Sequence, residues 1–212
     1  MKTHPRIDGS DEVDPLFMPY HRKVVLDYER LHKVVEGYQA VGRKVVVTIG
    51  SWDGGIHIGH ARYIVRARAA GDLLIVAFDS DRAVKLYKGE YRPITPEDER
   101  AELLTYMEQV SFVTGIDDVN DTGWWQCGLL KTVRPDVFVA VEDSYPEDQL
   151  VEIRKYVPKI VVLPRQAETS TSAVINRIIK GHFLPTFGEM LDGNLKRKSP
   201  TRPDDAVHPG TS

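Results

Sequence analysis

Lys44-Val45-Val46-Val47-Thr48-Ile49 runs straight into Gly50-Ser51-Trp52-Asp53-Gly54-Gly55-Ile56-His57-Ile58-Gly59-His60, and residues 58 to 70 then read as a helix closed by Gly71. A β-branched run, a glycine-rich turn and a helix start in that order make up the first half of a β-α-β unit. The same alternation continues outward. Strands are predicted at 73–78, 111–113, 136–141 and 160–163, with helices at 96–108, 123–133, 147–156 and 171–180. Each parallel strand pair needs a crossover, so this order implies a Rossmann-like α/β domain: a doubly wound parallel sheet of about five strands. Upstream, Val24, Tyr28, Leu31, Val35 and Tyr38 keep helical spacing ahead of Gly42, which predicts an added N-terminal helix over 21–41. The reading is therefore a flexible arm at 1–20, a domain at 21–182 whose core is 44–180, and a proline-bearing tail at 183–212.

The chain has 212 residues, 42% hydrophobic and 28% charged, with a net charge of −3. That balance suits one globular α/β domain and argues against nucleic-acid binding through a broad basic face. No apolar run is long enough to span a bilayer, and residues 1–14 lack a secretory pattern, so the expected location is cytoplasmic. Cys127 is the only cysteine, which rules out an intrachain disulfide and a multi-cysteine zinc site.

In a doubly wound sheet, ligands bind beyond the carboxyl ends of the strands. The polar clusters fall there: 50–60, 79–88, 142–145 and 165–172 each follow a predicted strand. In the first cluster, backbone N–H groups at a helix start favour anions, and glycines let a phosphate come close. His57 and His60, three residues apart, add ring donors that would stabilise a departing pyrophosphate. The bland alternative is a capped helix with two surface histidines. A zinc site is the weaker reading, since no further ligand stands at zinc spacing. Trp124 and Trp125 are expected to pack on a helix, and Lys196-Arg197-Lys198 to be solvated chain.

Gly50, Asp53, His57, Gly59 and His60 resemble the G-x-F-D-x-x-H-x-G-H signature of the cytidylyltransferase-like nucleotidyltransferases. The resemblance runs from about residue 44 to 179. Gly71 to Ala77, Ser80-Asp81, Val84-Lys85, Lys88-Gly89, Arg92-Pro93-Ile94, Pro96 and Arg100 look most like the enzymes that make ADP-heptose. Leu163-Pro164-Arg165 and Ser170-Thr171-Ser172 look like the ending of glycerol-3-phosphate cytidylyltransferases. The chain departs in carrying three residues rather than two between Asp53 and His57, Trp52 in place of phenylalanine, and Val141-Glu142 in place of a glycine pair before Asp143.

The resemblance implies transfer of CMP or AMP from CTP or ATP to a small phosphorylated sugar or polyol, with release of pyrophosphate. It implies His57, His60, Lys88 and Arg165 as catalytic residues. Gly50, Ser51, Trp52, Asp53, Gly59, Lys85, Asp143, Ser170, Thr171 and Ser172 would bind the nucleotide, and Arg100 the acceptor. Magnesium (Mg2+) is the implied cofactor, with Asp53 as a ligand, and a homodimer the implied assembly. Two rivals stand beside it. A class I aminoacyl-tRNA synthetase fragment would need a K-M-S-K-S loop, which is absent. A nucleotide-binding or regulatory module that has lost turnover would keep the same fold.

Overall fold

The computed structural model describes residues 18–191; most of the expected arm, the tail beyond 191 and Lys196-Arg197-Lys198 lie outside them. The chain divides after Thr171 into two compact units. In the first, strands β1 (Val45–Gly50), β2 (Leu73–Asp79), β3 (Phe112–Ile116), β4 (Val137–Val141) and β5 (Lys159–Leu163) form one parallel sheet in the order β3-β2-β1-β4-β5. The order reverses between β1 and β4, which places a ligand crevice beyond their carboxyl ends.

Alternation along the strands divides the core. Val45, Val47, Leu73, Ile75, Phe138 and Ala140 point to one face. They pack there with Leu31 and Val35 of α2 (Tyr28–Ala40), Leu129, Leu130 and Val133 of α6 (Gly128–Val133), and Ile153 of α7 (Glu147–Arg154). Val46, Leu74, Val76, Val137 and Val139 point the other way. Their partners are Tyr63, Ile64 and Ala67 of α3 (Ile58–Arg68) and Ala101 and Leu104 of α5 (Glu97–Thr105). Central strands covered on both faces explain why β1 and β2 are apolar almost throughout.

Several local expectations are corrected. The single helix over 21–41 is two: α1 (Met18–Lys23) and α2, separated by residues 24–27, of which Val24 and Val25 join the edge of β3 through a parallel bridge from Val24 to Val113 and the Val25 amide on Val113 O. Asp27 sets the break, because its carboxylate accepts from the amides of Glu29 and Arg30 and so caps α2. No helix is predicted over 79–88, yet Ser80 accepts from the Ala83 amide and starts α4 (Asp81–Lys88). The helix expected over 123–133 begins only at Gly128, so Trp124 and Trp125 lie in a loop.

Helix continues beyond the expected domain end at 182. α8 (Thr171–Ile178) starts at the unit boundary and passes through a wider π turn, Ile179–Phe183, into α9 (Leu184–Leu191). Pro185 sits just inside α9 and has no N–H to donate backward, and a π turn is a way for a helix to absorb that missing bond. Among the described residues no helix is long and apolar enough to cross a membrane.

Candidate active site

The turn after β1 is built on left-handed backbone: Trp52, Gly54 and Gly55 have φ values of 50°, 74° and 83°. Gly54 has no alternative, since a Cβ there would lie 2.4 Å from Cγ2 of Thr171. The extra residue before His57 is absorbed in this turn, and the Gly55 carbonyl gains a role by accepting from Nδ1 of His60 at 3.2 Å.

His57 is itself the N-cap of α3. Its Nδ1 accepts from the amides of Gly59 at 3.1 Å and His60 at 3.4 Å. The first-turn amides expected to meet a phosphate directly are therefore spent on the His57 ring. An Nδ1 that accepts leaves the proton on Nε2, so an anion in the cleft meets the helix start through that Nε2–H. Gly59 must be glycine for this, because a Cβ would come within 2.9 Å of the ring. His60 has the opposite tautomer, as Gly55 O can only accept. Burial pulls both imidazoles below the usual histidine range, His60 to about 4 with the neighbouring His57 and Lys88 adding to the effect.

A cleft of about 700 Å³ opens beyond β1 and β4, of a size ordinary for small-molecule sites. It is lined by Gly50, Ser51, Trp52, His57, Gly59, His60, Lys88, Asp143, Arg165 and Ser170, all predicted site residues. Trp52 stays 3% exposed, its indole N–H donating to Ala77 O at 2.8 Å and its ring edge-on to His60. Lys88 donates to the Ser51 hydroxyl, and burial followed by the nearby Arg92 guanidinium lowers its pKa. Arg165 enters from beyond β5, its amide held by the Glu142 carboxylate at 2.8 Å.

Five predicted residues stand elsewhere. Asp53 is 0% exposed; one carboxylate oxygen pairs with Arg92 and the other accepts from the Ile94 amide at 2.6 Å. Both oxygens are thus committed to joining the turn to the 90–95 loop, so neither nucleotide nor metal reaches them. Arg100, also 0% exposed, donates to the carbonyls of Ser51 at 2.6 Å, Asp79 at 2.7 Å and Thr95 at 2.9 Å, and to the Asp81 carboxylate at 2.6 Å. It braces the ends of β1 and β2 from behind, out of an acceptor's reach. Lys85 is half exposed, 3.7 Å from Glu90 and outside the cleft lining. Thr171 donates its hydroxyl to Asp53 O and so holds the turn rather than the ligand. Ser172 belongs to the second unit and is absent from the lining.

Other wall residues stand outside the predicted site set. Tyr87 donates to the Asp79 carboxylate at 2.5 Å, and burial raises the pKa of both groups. Tyr63 anchors its hydroxyl on Val139 O at 2.8 Å. Trp124, Trp125, Tyr145 and Gln149 complete that side, so the tryptophan pair both packs and faces the cleft.

The chain is similar to known proteins over much of its length. The chain is 34% identical over 154 residues to the "Bifunctional protein HldE" of Wolinella succinogenes, covering 73% of this chain and 31% of that protein. It is 32% identical over 164 residues to the protein of the same name from Syntrophotalea carbinolica, covering 76% and 32%. It thus spans about a third of the length of these relatives. Among solved structures, a lipopolysaccharide core biosynthesis protein from Thermoplasma volcanium is 23% identical with a TM-score of 0.49, covering 61% of this chain and all of that one. The family model described as "Cytidylyltransferase-like" matches residues 47–177, which run from within β1 through β5 and hold the paired histidines and the cleft lining; the chain belongs to that family.

Proposed function

We propose that the chain is a nucleotidyltransferase that moves CMP or AMP from CTP or ATP onto a phosphorylated sugar or polyol and releases pyrophosphate. The observation that carries this is the His57–His60 pair at the start of α3, facing one cleft that Lys88 and Arg165 also line. Three donors around one crevice, joined by His60 once it takes up a proton, suit an anion with charge spread over several oxygens, and a triphosphate is such an anion.

In this reading an oxygen of the acceptor's phosphate attacks the α-phosphorus. The new P–O bond forms as the bond to the α–β bridging oxygen breaks, and its electron pair leaves with pyrophosphate. An ionised acceptor phosphate needs no base, so the protein's part is positioning and charge neutralisation. Arg165 grips with a planar fork, Lys88 acts as a point charge, and the Nε2–H of His57 donates without having to be charged.

Asp79, Glu142 and Asp143 bring carboxylates to the cleft, while among the described residues no group of three or more His, Cys, Asp or Glu is set to hold a metal. This donor set fits Mg2+ that arrives on the triphosphate, with phosphate oxygens and water as most of its ligands and exposed Asp143 as a candidate protein ligand. Bound there, it would neutralise triphosphate charge.

The test is a pyrophosphate-release assay crossing ATP, CTP, GTP and UTP with glycerol 3-phosphate, heptose 1-phosphate, phosphocholine and hexose phosphates, with and without Mg2+. At least one magnesium-dependent pair should turn over. Silence across the panel with tight nucleotide binding would favour the non-catalytic module instead.

A further inference from the structure

The turn that carries His57 and His60 is gripped at one residue from two parts of the chain. Asp53 gives both carboxylate oxygens to the 90–95 loop, through Arg92 and the Ile94 amide. Its carbonyl accepts from the hydroxyl of Thr171, 118 residues away at the start of α8. The Thr171 methyl faces the next residue, Gly54, so closely that no Cβ would fit there. The connection leading from β5 to Thr171 meets the same region twice more: Gln166 O accepts from Arg62 of α3 at 3.3 Å, and a Cβ on Gly59 would touch Ala167.

The two grips act on different parts of Asp53. Arg92 and Ile94 hold its side chain, which can turn about its own bonds. Thr171 holds the carbonyl of the Asp53–Gly54 peptide, and a peptide is planar, so fixing that oxygen fixes the direction in which Gly54 sets out. Beyond that point the backbone does not choose its own path. Gly54 and Gly55 both take left-handed conformations, which glycine enters and leaves at almost no steric cost. Among the described residues a Cβ on Gly55 would meet nothing within 4 Å, so no neighbour presses on that residue directly. Its carbonyl is nevertheless the group that takes the His60 Nδ1–H. Trp52 and His57 pack against the His60 ring and hold its plane, but ring packing does not decide which nitrogen carries the proton; the hydrogen bond does.

We infer that Thr171 is a positioning residue for His60: its hydroxyl on Asp53 O and its methyl against Gly54 place the Gly55 carbonyl, which keeps the neutral His60 ring in the Nδ1–H form with Nε2 turned into an acceptor. Released from that carbonyl, the ring returns to the Nε2–H form that histidine favours in water. The difference matters for charge. An Nε2–H ring would greet a phosphate as a neutral donor, whereas the Nδ1–H ring does so only as an imidazolium, with a full positive charge. The effect on turnover rests on the nucleotidyltransferase reading; the effect on the ring does not.

The test reads the ring on the full chain without substrate. Long-range proton–nitrogen NMR spectra of nitrogen-15-labelled protein at pH 8, where both rings are neutral, distinguish the tautomers. Wild-type His60 should be predominantly Nδ1–H. Thr171→Val keeps the methyl and removes the hydroxyl, and it should move the majority to Nε2–H; Thr171→Ser restores the hydroxyl and should bring Nδ1–H back. Turnover should follow, with kcat down about tenfold or more in Thr171→Val, KM for the triphosphate within about threefold, and most of the loss recovered in Thr171→Ser. If the valine variant does not fold, Thr171→Ala removes the hydroxyl without filling its place and repeats the reading. A merely structural role would lower the melting temperature and leave the tautomer unmoved. An Nε2–H ring in wild type, or Nδ1–H retained in a folded variant without the hydroxyl, overturns the positioning role and leaves the nucleotidyltransferase standing. Pyrophosphate released from no substrate pair would remove that reading and leave the tautomer shift, and with it the role of Thr171, in place.

Discussion

His57 and His60 stack with ring centroids 3.8 Å apart and planes 23° from parallel, and they carry their protons on opposite nitrogens. His57 offers Nε2–H to the cleft as a neutral ring, because its Nδ1 is occupied by two amides. Neutral His60 spends its one N–H on Gly55 O, so its Nε2 can donate to a phosphate only after taking up a proton.

Capping and donation by His57 can be separated. His57→Asn keeps an N-cap oxygen but removes the ring donor. Turnover should fall about a hundredfold or more, while stability stays within about 0.5 kcal/mol of wild type. Wild-type kcat in the folded Asn variant would show that the ring donates nothing to the reaction.

Triphosphate binding should draw a proton onto His60. Calorimetry between pH 6 and 7 in buffers of different ionisation enthalpy should report uptake approaching one proton per nucleotide, lost in His60→Gln. Uptake of the same size in the variant would assign the proton to another group.

Without ligand, the same ring makes stability fall in acid. His60 titrates near 4 in the fold against about 6.5 when unfolded. Its folded pKa is depressed, so its contribution is complete above about 6.5 and declines as pH falls toward 4, because there the unfolded state binds the proton first. The shift of His57 acts in the same direction. Denaturant titrations from pH 8 to 4 should show wild type losing more stability than His60→Gln; parallel curves would refute the linkage.

Asp53 is expected to matter to folding and not to metal. Asp53→Asn breaks the pair with Arg92 and leaves that guanidinium, whose side chain is 14% exposed, short of its partner. A loss of about 3–5 kcal/mol is expected, read as a drop in the denaturation midpoint. The Mg2+ concentration for half-maximal rate should not change, and a marked rise in it would restore Asp53 as a ligand.

The cationic residues should divide by position. Lys88→Ala and Arg165→Ala should weaken triphosphate binding far more than monophosphate binding, while Lys85→Ala should change neither. Calorimetry with CTP, CMP, ATP and AMP measures the contrast. A Lys85 effect equal to that of Lys88 would mean that the cleft extends to the Glu90 side.

Strand–helix alternation, the crevice beyond β1 and the pairing of His57 with His60 at a helix start were all legible in the sequence. Each depends on local period or on neighbours a few residues apart: apolar runs make the strands, Gly54 and Gly55 permit the turn, and His57 can cap only the helix that follows it. Tertiary structure decided the fate of polar groups whose partners are distant. Asp53 resembles a ligand in its motif, but Arg92 and Ile94 arrive from 39 and 41 residues away and take both oxygens. Arg100 is drawn inward by the carbonyls of Ser51, just after β1, and Asp79, at the end of β2, that only the folded sheet brings together. Trp124 and Gln149 reach the cleft because the β3 and β4 crossovers converge there, and no local pattern encodes that convergence. A charged or amide side chain takes whichever partner spares it an unpaired burial, and when that partner is far along the chain only the fold can name it.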